Sequence, residues 1–130
     1  MVKSQRGVGL IEVLVALAIL GIIAVAFLTG LATTAKAVLV ADIRTGAESL
    51  ARSQMEDIKN QPYDDILPIE YTKIPIHPDL SGFSIDDIEV VRLDPEGDGF
   101  DDDDGMQKIT LIIKYNNKQV ITLEGYKVDR

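Results

Sequence analysis

The chain has 130 residues, 21 of them acidic and 13 basic, for a formal net charge of −8. It holds no cysteine and one histidine, which excludes a disulfide framework, thiol chemistry and a histidine-built metal centre. Residues 62–130 carry sixteen acids against seven bases, a balance that disfavours nucleic acid and anionic lipid as partners of that segment.

The first seven residues contain Lys3 and Arg6 and no acid. From Val8 to Leu28 there follow 21 residues with one charge, Glu12. As a helix rising about 1.5 Å per residue, that stretch covers roughly 30 Å, the thickness of a bilayer core. Basic residues before the span and acidic ones after it place the N-terminus in the cytoplasm and the remainder across the membrane. A carboxylate inside such a segment costs about 2.5–3.5 kcal/mol on insertion scales, so it calls for a partner. Two plainer readings stand beside that one. The first is a signal anchor that only tethers a domain, with Glu12 near the interface. The second is a secretory signal cleaved after the small-x-small stretch Ala24-Val25-Ala26. Against the second, Glu12 falls inside the would-be apolar core and the helical pattern runs on past the cut.

Arg6-Gly7, an aliphatic residue and then Leu10-Ile11-Glu12-Val13-Leu14-Val15-Ala16-Leu17 resemble the class III signal of type IV pilins and type II secretion pseudopilins. The resemblance implies that prepilin peptidase cuts between Gly7 and Val8, that Val8 becomes the N-methylated first residue, and that Glu12, fifth from the cut, serves subunit assembly. The chain departs from the family in opening its mature part with Val8-Gly9 where Phe-Thr is usual. The resemblance also suggests a mechanism: Glu12 of one subunit pairs with the Val8 amine of its neighbour, and two costly charges offset each other only when subunits pack.

Residues 29–61 read as a continuation of the same helix. Leu31, Ala35, Val38, Leu39, Ile43, Ala47, Leu50, Ala51, Met55 and Ile58 recur mostly at three- and four-residue steps, the period of one helix face. Pro62 ends it by pushing Gln61 out of the α region. From Pro62 to Phe83 the spacing predicts an ordered connector punctuated by prolines, with Tyr63, Ile66, Leu67, Ile69, Tyr71, Ile74 and Ile76 as apolar anchors. His77, between Pro75 and Pro78, reads as a turn residue.

Three strands are expected next, Ile85–Leu93, Gln107–Tyr115 and Lys118–Val128. Asn116-Asn117 marks a hairpin with two competing registers. A three-residue loop sets Ile113 opposite Ile121 and gathers the apolar residues on one face, whereas a two-residue turn sets Ile113 opposite Val120. The first is favoured. Between the first two strands lies Asp94-Pro-Glu-Gly-Asp-Gly-Phe-Asp-Asp-Asp-Asp-Gly105, whose carboxylates repel one another unless a cation sits among them. Asp98, Asp101, Asp102, Asp103 and Asp104 are the candidate calcium ligands; the competing reading is a solvated acidic loop. Their spacing does not match an EF-hand.

The expected fold is α+β: a leader (1–7), a membrane and assembly helix (8–28), its amphipathic continuation (29–61), and a small head with a three-stranded antiparallel sheet (62–130). With no nucleophile–base pair and no phosphate-binding loop, an enzyme is not expected. The resemblance implies a pilin-like subunit, most similar to small minor pilins that initiate or cap a type IV pilus or a type II secretion pseudopilus. Its implied partners are prepilin peptidase, other pilin or pseudopilin subunits and the inner-membrane assembly platform. The alternatives are a major pilin or pseudopilin, and a membrane-anchored calcium-binding domain that never polymerises.

Overall fold

The computed structural model describes residues 6–97, 99 and 104–129, with side chains from Gly9 onward. One helix, α1 (Arg6–Asn60), precedes a 3-10 turn at Pro78–Leu80 and four strands: β1 (Phe83–Ile85), β2 (Glu89–Arg92), β3 (Met106–Tyr115) and β4 (Lys118–Val128). The fold is α+β, a long N-terminal helix followed by a small antiparallel sheet. The chain divides into two compact units, one ending at Val40 and one starting at Ala41.

The second unit is organised by a helix face meeting a strand face. Ala47, Leu50, Ala51, Gln54, Met55 and Ile58 of α1 are all buried, and their steps of three and four align them on one side. β3 answers with Gln107, Ile109, Leu111 and Ile113, alternate residues that share one side of a pleated strand. Ala47, Leu50 and Ala51 pack with Ile85 and Ile113, and Met55 and Ile58 pack with Tyr71, Ile109 and Leu111; Leu123 touches both groups. Small residues let the layers approach closely. A Cβ on Gly46 would stand 2.9 Å from Cζ of Phe83, so this glycine, costly to a helix by itself, makes room for the ring.

β3 is the central strand. β4 lies along one edge, while β1 and β2 share the other. The single first strand expected from the sequence is thus two. Ile85 faces Ile113 and Glu89 faces Thr110, so Asp86-Asp87-Ile88 opposes only Leu111-Ile112, and one extra residue breaks the ladder. Both carboxylates in the break find lysines: Asp86 meets Lys114, and Asp87 lies 3.1 Å from Lys73. The Lys114 hydrogen bond holds the Asp86 carboxyl below its usual value.

The β3–β4 hairpin combines the two registers that compete in the sequence. Asn116 (φ 48°) and Asn117 (φ 63°) form a two-residue turn with both φ positive, the geometry that suits a tight hairpin. Tyr115 pairs with Lys118 and Lys114 with Gln119, but Ile113 pairs with Ile121. The expected three-residue loop is therefore wrong and the favoured pairing is right. Val120 is the extra residue that reconciles them, a bulge that returns Ile121 and Leu123 to the core side. Burial of that face outweighs the regularity of the ladder.

Leu111 is fully buried at the junction of the two layers. Leu111→Ala is expected to cost about 2–5 kcal/mol, and Leu111→Asp to abolish the cooperative melt of a chain starting at Ala41. A melting curve unchanged by Leu111→Asp would show that this face is not the core.

Candidate functional site: the N-terminal helix

In the first unit the pattern of burial is reversed. Leu10, Ile11, Val13, Leu14, Leu17, Leu20, Ile22, Ile23, Phe27 and Leu28 are all exposed, and they point to every side of α1. The segment is long and apolar enough to cross a membrane. Its threonines need no outside partner: Thr29, Thr33 and Thr34 donate their hydroxyls to the carbonyls of Val25, Thr29 and Gly30 at 2.8, 2.9 and 3.0 Å. Back-bonding of this kind satisfies a hydroxyl inside its own helix.

Glu12 is the exception. It stands on the exposed surface of α1, and helical spacing makes Gly9, Val15 and Ala16 its neighbours. Among the described residues nothing pairs with its carboxylate. The backbone of Gly7 and Val8 lies within the first turn of α1, which carries no acid. Glu12 is the first acid in the sequence.

Residues 2–28 match the family model of the prokaryotic N-terminal methylation motif. The chain carries the signature of type IV pilins and pseudopilins. The matched stretch contains Gly7, Val8 and Glu12 and ends where the apolar segment ends. No curated protein and no solved structure matches the chain. A long apolar N-terminal helix with this motif fits a membrane-anchored pilin.

The acidic stretch gives less. Asp98, Asp101, Asp102 and Asp103 lie outside the described residues. The Asp94 carboxylate accepts hydrogen bonds from the Gly97 and Gly99 amides at 2.5 and 3.0 Å, and Asp104 is half-buried beside β3. Among the described residues no three His, Cys, Asp or Glu side chains are grouped to hold a metal ion. His77 is a turn residue, its Nδ1 accepting from the Asp79 amide at 3.3 Å to cap the 3-10 turn.

The polar network that fixes the connector escapes a reading of the sequence. Gln54, fully buried on the core side of α1, donates to Thr72 O at 3.0 Å and accepts from Ile74 N at 2.8 Å. Gln61 accepts from Thr72 N at 2.9 Å and donates to the same carbonyl at 3.0 Å. Buried Gln107 accepts from the Tyr71 hydroxyl and donates to Asp64 O, each at 2.6 Å. Lys127, 4% exposed, donates to the carbonyls of Ile58 and Gln61 and lies 5.0 Å from the centre of the Tyr71 ring. A cation there adds a donor to carbonyls at the end of α1 and complements its dipole. Heptad spacing of Gln54 and Gln61 was the available signal, but glutamine at that spacing also suits a solvated face.

Ile69, Tyr71, Ile74 and Ile76 anchor the connector as the spacing predicts. Ile66 and Leu67 do not. They stand in water at 73% and 69% exposure.

Burial pushes the Lys127 ammonium below the ordinary lysine value of 10.5. Its folded pKa is lower than its unfolded one, so the desolvation cost is fully present below the folded pKa and fades as pH rises toward the unfolded value. Lys127→Met leaves the Ile58 and Gln61 carbonyls without this donor and is expected to cost about 1–3 kcal/mol at neutral pH. Melts of both proteins across the alkaline range should show the gap moving in favour of the parent protein as pH rises. A gap that narrows instead would contradict the burial argument.

Proposed function

We propose that this protein is a pilin-like subunit, cut between Gly7 and Val8 by prepilin peptidase and assembled through α1 into a membrane-rooted filament, a type IV pilus or a type II secretion pseudopilus. The observation that carries the reading is Glu12: an acid without a partner among the described residues, on an exposed apolar stretch of α1, within the methylation motif. Its partner in this reading is the new Val8 amine of an adjacent subunit. Pairing makes burial of both charges tolerable and ties insertion of one subunit to the presence of another. The N-terminus lies on the cytoplasmic side, next to the inner-membrane assembly platform, and the acidic second unit on the other side. The short head and the absence of cysteine favour a minor position that initiates or caps the filament. The role is one of assembly, with no chemistry asked of the head.

Two substitutions test this. Gly7→Leu is expected to block the peptidase and leave the full-length chain in the membrane, read by the mass of the N-terminal peptide; cleavage between positions 7 and 8 in that variant would mean the signal is misread. Glu12→Val should remove an insertion cost of about 2.5–3.5 kcal/mol, so insertion and cleavage persist while incorporation beside other subunits is slowed or lost. Normal incorporation of Glu12→Val would remove the charge-pairing role.

A further inference from the structure

β4 is an edge strand with one side open. Two hydrogen bonds fix which way its backbone faces: Asp129 N donates to Gly105 O at 2.8 Å on the β4 side of β3, and Leu93 N to Met106 O at 2.9 Å on the β2 side. Successive residues of a strand turn their N–H and C=O to alternate sides. Gln107 pairs with Lys127, Ile109 with Gly125 and Leu111 with Leu123, so the odd-numbered residues of β4 are the ones bonded to β3. Thr122, Glu124, Tyr126 and Val128 aim theirs away from the sheet, about 6.8 Å apart. All four are exposed, and among the described residues nothing else bonds to these backbone groups. An open edge of this kind is a template for another strand. β4 holds no proline, and its bulge at Val120 lies before the open stretch.

The side chains along this edge differ between its two faces. On the outward face Tyr126 and Val128 are 58% and 49% exposed. Glu124 is held there by Lys108 at 2.8 Å. On the inward face is Lys127, 4% exposed and bonded to the carbonyls of Ile58 and Gln61. Among the described residues no carboxylate pairs with it. It borders a cavity of about 510 Å³ between the ends of α1 and β4, whose charged lining residues are Lys59, Lys127 and Asp129. Two ammonium groups against one carboxylate leave this end of the edge positive, in a segment that is otherwise acidic.

We propose that the edge of β4 from Thr122 to Val128 takes up an extended strand of a different protein, antiparallel, with an acidic side chain opposite Lys127 and apolar ones beside Tyr126 and Val128. Directly opposed residues share a face, so the acid enters the cavity beside Lys59 and Lys127 while its two neighbours lie along the outward apolar side chains. A charge turned inward on an open edge deters strands that cannot answer it. A second β4 laid antiparallel along most of the edge is one of these. It brings Ile121, Leu123, Gly125 or Lys127 to that position, none of them acidic. Main-chain bonds give such a contact its affinity and the alternate side chains its selectivity. One edge takes one strand, so the contact does not repeat from copy to copy. The edge lies wholly in the second unit and is present whether or not α1 assembles.

Amide-resolved hydrogen exchange on the full-length chain in detergent micelles tests this. The probe is a capped seven-residue peptide, Val-Glu-Val-Thr-Thr-Val-Thr, whose glutamate falls opposite Lys127 when its first residue meets Val128. At about ten times its dissociation constant, the amides of Thr122, Glu124, Tyr126 and Val128 are expected to exchange about tenfold more slowly. Those of Leu123 and Gly125, already bonded to β3, should hardly change. Lysine in place of the glutamate should weaken binding about fivefold or more. Methylating the peptide's third and fifth amides, which face β4 in this register, should abolish it. No slowing at millimolar peptide would overturn the proposal, and so would equal binding by the lysine or the methylated twin. Slowing of the same four amides as the chain itself is concentrated, without peptide, would make the occupant a second copy and overturn the choice of a different protein.

Discussion

The second unit depends on one contact, the face of α1 from Ala47 to Ile58 laid against the inward side of β3. Neither surface is stable alone in water: a stripe about three turns long of alanine, leucine, methionine and isoleucine gives a helix little, and an isolated strand gives less. Together they exclude water from Leu50, Ile58, Ile109, Leu111 and Ile113, and the other elements add to that layer. β4 and the β1–β2 pair extend β3 on its two edges. The connector closes the remaining side with Ile69, Tyr71, Ile74 and Ile76. Without disulfides, this layer and the polar contacts around it carry the stability of a small domain.

Those polar contacts do a separate job. An irregular connector must satisfy its backbone groups somewhere, and here glutamines act as substitutes for a neighbouring strand. Gln54 and Gln61 hold Thr72 and Ile74, while Gln107 holds Asp64 from the sheet side. Lys127 joins the end of β4 to the last carbonyls of α1. The ammonium is desolvated, and its position is tolerable because oxygen atoms and an aromatic face surround it.

The first unit follows the opposite rule. Its apolar side chains face outward, its threonines are satisfied within the helix, and its one acid has no partner among the described residues. A helix of this kind is unfavourable in water by itself, so its environment is lipid or other helices. Function and folding are then the same problem in the proposed reading, where a neighbouring subunit both covers the helix and pairs with Glu12. That is why the reading proposed here is one of assembly.

Much of this was legible in particular residues. The apolar run from Val8 to Leu28 marks a long N-terminal helix, the three- and four-residue steps from Ala47 to Ile58 mark a helix face, and alternation from Gln107 to Ile113 marks a strand with one buried side. Pro62 marks the stop. Each of these is a local consequence of backbone geometry, so neighbours in sequence suffice to encode it. Other features were decided only in three dimensions. Val120 bulges because the turn chemistry of Asn116-Asn117 and the burial of Ile121 demand different registers, and only their meeting across β3 resolves the conflict. Asp86-Asp87 splits a strand because lysines from β3 and the connector come within reach. Lys127 is buried because β4 ends beside the last turn of α1, sixty-six residues from its partner Gln61. Ile66 and Leu67 are exposed because Asp64 closes their loop outward. Spacing along the chain carries no information about which distant carbonyl a side chain will meet, and the balance between burying an apolar group and satisfying a polar one is set at that meeting.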